Sequence, residues 1–218
     1  MRRVLLALIG LLTLLPSPAF AVADDGSLSA NLHSNVAYVK VSKLSPWVTQ
    51  RIRTLAEELQ GQKPRGVVLD MRGNAGGSID AASAVIETLL PKGIPYVKLF
   101  STLGTTLRVS PRAAVFRKSQ PLVILIDGKT RNEARIIVSV LQKKRNGIVV
   151  EESRKEPSPT VIFGDSARMR EYIPIDGKNF SVVPDRRVQI DTKGGNDGPL
   201  QISIGIVKEK SPWVEAKK

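Results

Sequence analysis

The sequence holds no cysteine and a single histidine, His33. Disulfides, thiolate metal centres and cysteine nucleophiles are thereby excluded, as are metal sites built from several imidazoles. Any Ser-His-Asp triad would depend on His33 alone, which reads as an ordinary surface histidine ahead of the first core strand. Aromatic residues make up only 5%, against a stacking platform for single-stranded nucleic acid. Acidic residues are in deficit, with 20 Asp+Glu facing 33 Lys+Arg for a formal charge of +13. The cations are scattered, as in Lys143-Lys144-Arg145, Arg186-Arg187 and Lys217-Lys218, and no helix carries a regular basic stripe. No nucleic-acid partner is expected. The charge suits a solvated surface, anionic lipid headgroups or an acidic partner.

What is present divides the chain. Met1-Arg2-Arg3 is followed by an apolar run from Val4 to Leu15, a Pro16-Ser17-Pro18 break and small residues in Ala19-Phe20-Ala21. This layout predicts a secretory signal peptide over residues 1–21, and hence a periplasmic or extracellular location. The apolar run is shorter than the ~20 residues needed to span a bilayer. Residues 22–34 are polar and predict a loose arm. Residues 35–208 predict one core, and 209–218 a basic tail.

Within the core, strand and helix signals alternate. Val36 to Val41 has strand composition. Ser45-Pro46 predicts a helix start, and Val48, Ile52, Leu55, Ala56 and Leu59 recur at helical spacing up to Gly61. Gly66 to Asp70 and Leu122 to Ile126 are short continuous apolar runs, as in strands buried on both faces. Helices are predicted from about Ser78 to Leu90 and from about Asn132 to Lys144, and a hairpin from Tyr96–Phe100 and Thr105–Val109. Ile148-Val149-Val150 predicts another strand, with shorter ones at Val161–Phe163, Arg170–Pro174 and Phe180–Val183. Leu200 to Val207 fits either helix or strand. The alternation predicts an α/β fold with a largely parallel sheet and flanking helices.

Ligands of such sheets sit beyond the carboxyl ends of the strands. Two strand-to-helix junctions draw attention there. In the first, Asp70 to Gly77, the adjacent glycines Gly76 and Gly77 precede a helix. Their amides suit an anion or a developing oxyanion; equally, a tight turn needing positive φ would select them. The spacing is neither that of a dinucleotide fingerprint nor that of a P-loop. The second junction is Asp127-Gly128-Lys129-Thr130-Arg131-Asn132.

The segment Val67-Val68-Leu69-Asp70-Met71-Arg72-Gly73-Asn74-Ala75-Gly76-Gly77 resembles the "LDLRxNxGG" stretch of the C-terminal processing peptidases, or tail-specific proteases. Leu89-Leu90-Pro91-Lys92-Gly93, Val183-Pro184-Asp185 and Asp197-Gly198-Pro199-Leu200 resemble further family stretches in the right order. The resemblance covers about residues 35–208 and implies a ClpP/crotonase-like core, without cofactor or metal. It also implies a serine nucleophile, a lysine general base, and an oxyanion hole from a glycine amide and the residue after the serine. Carried onto this chain, the oxyanion positions fall on Gly76, Gly77 and Glu133. The nucleophile position falls on Asn132. The lysine position falls on Pro157, or on Lys155 after a two-residue deletion.

A carboxamide is a poor nucleophile, so these residues predict no acyl-enzyme. Arg131, Glu133 and Arg135 replace the small residues expected around the nucleophile and predict a filled, charged pocket. The peptide-binding PDZ module usual in the family is not expected between the predicted cleavage site and the first strand. The leading expectation is therefore an exported, catalytically inactive relative that binds a peptide, a protein or a small apolar ligand. One alternative is an active serine- or threonine-type endopeptidase with a displaced nucleophile, for which Thr130 is the first candidate and Ser139, Ser153 and Ser158 are others. The second is a basic protein that binds anionic surfaces.

Overall fold

The computed structural model describes residues 23–102, 104–153, 172–173, 182–189 and 197–211. The predicted signal peptide, Lys155, Pro157, Ser158 and the strand expected at Val161–Phe163 lie outside them. Six strands form the main sheet in the order β1-β2-β3-β6-β7-β9. They are β1 (Leu28–His33), β2 (Val36–Val41), β3 (Val67–Asp70), β6 (Leu122–Asp127), β7 (Ile148–Ser153) and β9 (Arg186–Gln189). All pair in parallel except β1 with β2. A three-stranded sheet, β5-β4-β8, stands beside it, built from β4 (Pro95–Ser101), β5 (Gly104–Val109) and β8 (Tyr172–Ile173). The parallel α/β sheet and the hairpin are as the sequence predicts.

Three helices connect successive parallel strands: α1 (Pro46–Gly61), α2 (Ile79–Leu89) and α3 (Glu133–Arg145). Their starts are chemically marked. Ser45 Oγ accepts from Val48 N–H, and Ser78 Oγ accepts from the Asp80 and Ala81 N–H groups. Val48, Ile52, Ala56 and Leu59 bury the inner face of α1, as the helical spacing implies. All three helices pack in one core with Ala37, Val39, Val67, Leu69 and Ile124. The alternate strand residues Val36, Val68, Val123 and Leu125 face the other way, against Ile204, Ile206 and Val207 of α4 (Gly198–Lys210). Among the described residues, no helix is long and apolar enough to cross a membrane.

Three expectations are corrected and one left open is decided. Residues 28–33 are not a loose arm but an edge strand, turned onto β2 through Ser34 (φ 50°) and Asn35 (φ 62°). Both central residues of this two-residue turn take positive φ, the geometry that matches strand twist. Ser-Asn disguises it, because it is not the usual Asn-Gly. Residues 182–183, the described end of the strand expected at Phe180–Val183, carry no strand; β9 follows at Arg186–Gln189 instead. There Arg187 Nε meets Glu151 Oε2 at 3.0 Å, a cross-strand pair that the sequence shows only as charge. The helix-or-strand segment 200–207 is helix, begun by Asp197, whose carboxylate accepts from Leu200 N–H at 3.1 Å. Finally, that helix runs through Lys210 to a buried Ser211, so a tail starting at 209 begins too early.

Two tyrosines lie in this frame with protons held tightly. Burial, and then the Asp70 carboxylate that Tyr38 donates to at 2.7 Å, raise the Tyr38 pKa. Burial and the hydrogen bond to Glu87 at 2.6 Å do the same for Tyr96. Free tyrosine ionises near pH 10. The folded state therefore holds these protons where the unfolded chain releases them, and stability present below pH ~10 is lost as pH rises further. Tyrosinate absorbance should show both groups ionising late, together with alkaline unfolding. Tyr38→Phe should remove one late step.

Candidate functional site

Because β3 and β6 are neighbours in parallel register, the two junctions leave the sheet side by side. Five contacts tie them together. The Asp127 carboxylate accepts from Gly73 N–H at 3.0 Å. Thr130 Oγ lies 2.9 Å from the Met71 carbonyl, and Arg131 N–H donates to Asn74 O at 2.9 Å. Asn132 Nδ2 donates to Ala75 O at 2.8 Å, and Gly77 N–H donates to Glu133 Oε2 at 3.0 Å. Buried Asn74 holds the first loop from beneath: Nδ2 donates to Val41 O at 2.9 Å, and Oδ1 accepts from Gly76 N–H at 2.8 Å.

The glycine pair answers both sequence readings at once. Gly76 (φ +103°) and Gly77 (φ +147°) occupy backbone that side chains rarely adopt. A Cβ on Gly76 would overlap the Glu133 carboxylate and come within 2.8 Å of Asn132 Cβ. A Cβ on Gly77 would overlap the Leu44 carbonyl oxygen. The turn thus needs glycine, and an amide of the pair does face an anion. That anion is this chain's own carboxylate.

Asn132 stands at the head of α3 with φ 50° and ψ −131°, and its side chain makes no cap hydrogen bond. Positive φ at a non-glycine residue with this ψ is a strained strand-to-helix elbow, costing of order 1–3 kcal/mol. Asn132 is thus beside the Gly76–Gly77 loop, as the aligned motif predicts. Glu133, at 5% exposure, turns inward onto the Gly77 amide. Arg135 is buried as well, donating from Nε to Thr130 O at 2.6 Å, and burial lowers its pKa. Arg131 is exposed. Of the three charged residues expected around that position, Glu133 and Arg135 are the buried ones.

Thr130 does not present a nucleophile. Its hydroxyl is fully buried, accepts from Asp127 N–H at 3.1 Å, and lies within donating reach of Met71 O and Asp127 Oδ1. It braces the turn. Ser139 is buried within α3 and Ser153 is half-buried at the end of β7. His33 is exposed on the edge strand, at the opposite end of the sheet. No group of three or more His, Asp or Glu among the described residues is placed to hold a metal ion.

One feature of the site escapes a linear reading. Arg72 Nε and Nη2 donate to fully buried Asp70 at 2.6–3.1 Å. Its guanidinium also meets Glu152 Oε2 at 2.5 Å and both Asp197 oxygens at 2.7 and 2.9 Å. Burial opposes the charge, but the Asp70, Asp197 and Glu152 carboxylates outweigh it and raise the Arg72 pKa. Asp197 responds oppositely: burial works against its charge, yet Arg72 and the Leu200 amide lower its pKa. This clamp joins the ends of β3 and β7 to the start of α4, at the root of the junction that carries the glycine pair. Only the Asp-x-Arg spacing at the end of β3 hinted at it.

A largely parallel α/β sheet with two joined strand-to-helix junctions, Asn132 at the head of one and the glycine pair in the other, is the arrangement that the peptidase resemblance implies. Comparison with known proteins agrees: the model of peptidase family S41 matches residues 35–155. This is more than half of the chain, and the protein belongs to that family. The carboxy-terminal-processing protease of Bartonella bacilliformis is 23% identical over 127 residues, taking in 55% of this chain and 28% of its own. The carboxy-terminal processing protease CtpB of Bacillus subtilis is 22% identical over 150 residues, taking in 68% and 29%. The chain thus spans under a third of these relatives. Among solved structures, the photosystem II D1 C-terminal processing protease shares the fold, with a TM-score of 0.59 at 16% identity over 83% of this chain and 52% of that one.

Proposed function

We propose that this chain is a catalytically inactive S41 family member that binds a peptide, a protein or a small apolar ligand without cleaving it. The observation that carries the reading is the Glu133 carboxylate, which accepts the Gly77 N–H at 3.0 Å. Oxyanion stabilisation requires that donor to be free for charge developing on a substrate; here a resident anion holds it. Beside it, at the elbow, stands Asn132, whose amide nitrogen is engaged with Ala75 O and is a poor attacking group. A lysine base would have only a carboxamide to activate, whether or not Lys155 fills that role. Relatives of this chain are named as carboxy-terminal processing proteases, which makes polypeptide the first ligand to test. The signal-peptide layout of residues 1–21 favours export, where such a partner would be met.

The test uses a fluorophosphonate probe and unstructured peptides, with an active family member as control. The expected result is no covalent adduct and no cleavage of peptides that the protein binds. Labelling of one Ser or Thr, with cleavage abolished by its replacement, would overturn the proposal. So would turnover that stops on Asn132→Ala.

A further inference from the structure

The charge is not as scattered in space as it is along the chain. The parallel strands all begin at one end of the sheet, opposite the candidate site, and the segments that lead into three of them, β3, β6 and β7, are basic. Lys63 and Arg65 precede β3, and Arg117 and Lys118 precede β6. Exposed Lys143 and Lys144 end α3, just ahead of β7. On the other face, α4 runs down from Asp197 beside Arg72 to Val207 against Gly66, at the start of β3. This delivers exposed Lys208 and Lys210 to the same end.

These loops are joined. Gln120 Nε2 donates to Pro64 O at 2.7 Å, and Arg145 donates to the carbonyls of Arg117, Lys118 and Gln120 at 2.6–3.1 Å. Among the described residues, the carboxylates in these segments are Glu58, Asp185 and Glu209. The opposite pole sets Asp70, Asp127, Glu133, Glu152 and Asp197 against Lys43, Arg72, Lys129, Arg131 and Arg135, so among the described residues the net positive charge lies at the amino ends of the strands.

Helix dipoles alone do not account for this. Cations near helix C-termini are favoured, which suits α3 and α4. The last turn of α1, however, has no basic residue, while Lys63, Arg65, Arg117 and Lys118 sit in coil. Six strands side by side span about 24 Å, with a helical layer on either face, so the pole is a broad surface and not a groove. It is also rich in lysine, a mobile point charge suited to a diffuse anionic field; bidentate phosphate recognition favours arginine. No exposed aromatic side chain accompanies it among the described residues, which disfavours base stacking.

We propose that the pole at the amino ends of the strands docks the protein on anionic lipid bilayers, with the glycine-pair site facing away from the membrane. This goes beyond the ligand reading above and does not depend on it. The test is co-sedimentation of the full chain with phosphatidylcholine vesicles with and without phosphatidylglycerol. Partition should require the anionic lipid and should fall as salt is raised, because surface charges are screened. The combined Lys118→Glu, Lys143→Glu and Lys144→Glu variant should bind at least about a hundredfold more weakly, from roughly fivefold per lysine charge removed. These side chains are exposed, and an unchanged circular dichroism spectrum would verify folding. Lys43→Glu with Lys129→Glu, at the other pole, should leave partition within about twofold. Failure to bind anionic vesicles would overturn the proposal, as would equal losses in the two variants or tighter binding to duplex DNA than to vesicles.

Discussion

Arg72→Met is expected to lower the free energy of unfolding by about 3–5 kcal/mol, the usual result of removing one partner from a buried ion pair. Asp70 is fully buried, and its carboxylate would keep only the Tyr38 hydroxyl and the residue-72 amide. Glu152 and Asp197 would lose their shared cation at the same time. Arg72→Lys should fall between the two, since one ammonium cannot reproduce a fork that reaches three carboxylates. Urea midpoints at neutral pH measure the series. A loss below about 1 kcal/mol for Arg72→Met would mean that the clamp contributes no more than an exposed pair.

The clamp also sets an acid limit. Because folding depresses the Asp197 pKa below 3.8, its contribution is present above that pH and is lost as the pH falls through the folded value. Asp197→Asn should therefore be less stable than the natural chain at neutral pH, and the difference should shrink below about pH 4.

Gly77→Ala is the second large effect, at about 3–5 kcal/mol. Strain at an unfavourable φ accounts for of order 1–3 kcal/mol. Overlap of the new methyl with the Leu44 carbonyl adds a further 1–3 kcal/mol or so, since that carbonyl already accepts from Ser78 N–H at 2.9 Å. Gly73→Ala is the control. It has positive φ (+76°) but nothing within 4 Å of its would-be Cβ, so only the roughly 1–2 kcal/mol of left-handed backbone applies. Equal losses at the two positions would rule out close approach as the reason for glycine at 77.

Much of this was legible along the chain. Ser45-Pro46 and Ser78 announced their helices because capping is a local hydrogen bond between residues two or three apart. The continuous apolar runs of β3 and β6 announced a sheet covered on both faces, since only such strands can afford no polar side. The edge strand β1 was not legible: its outward residues are polar, and its order comes from the ladder to β2. Nor was β9, whose Arg187 gains its place from Glu151 on a neighbouring strand. At the site, the glycine pair followed from its place between a strand and a helix and Asn132 from the family resemblance, whereas the engagement of Thr130 in its own turn did not follow from either.

The sequence by itself determined that this chain is an α/β protein of a peptidase family, with an amide side chain, Asn132, at the head of one helix. Those properties live in periodicity, caps and a short contiguous motif. Tertiary structure alone decided that Glu133 faces the Gly77 amide, that Arg72 gathers Asp70, Glu152 and Asp197, and that scattered lysines share one pole. Each of these joins residues dozens of positions apart, and their electrostatic interaction depends on distance in space, which no local pattern along the chain encodes.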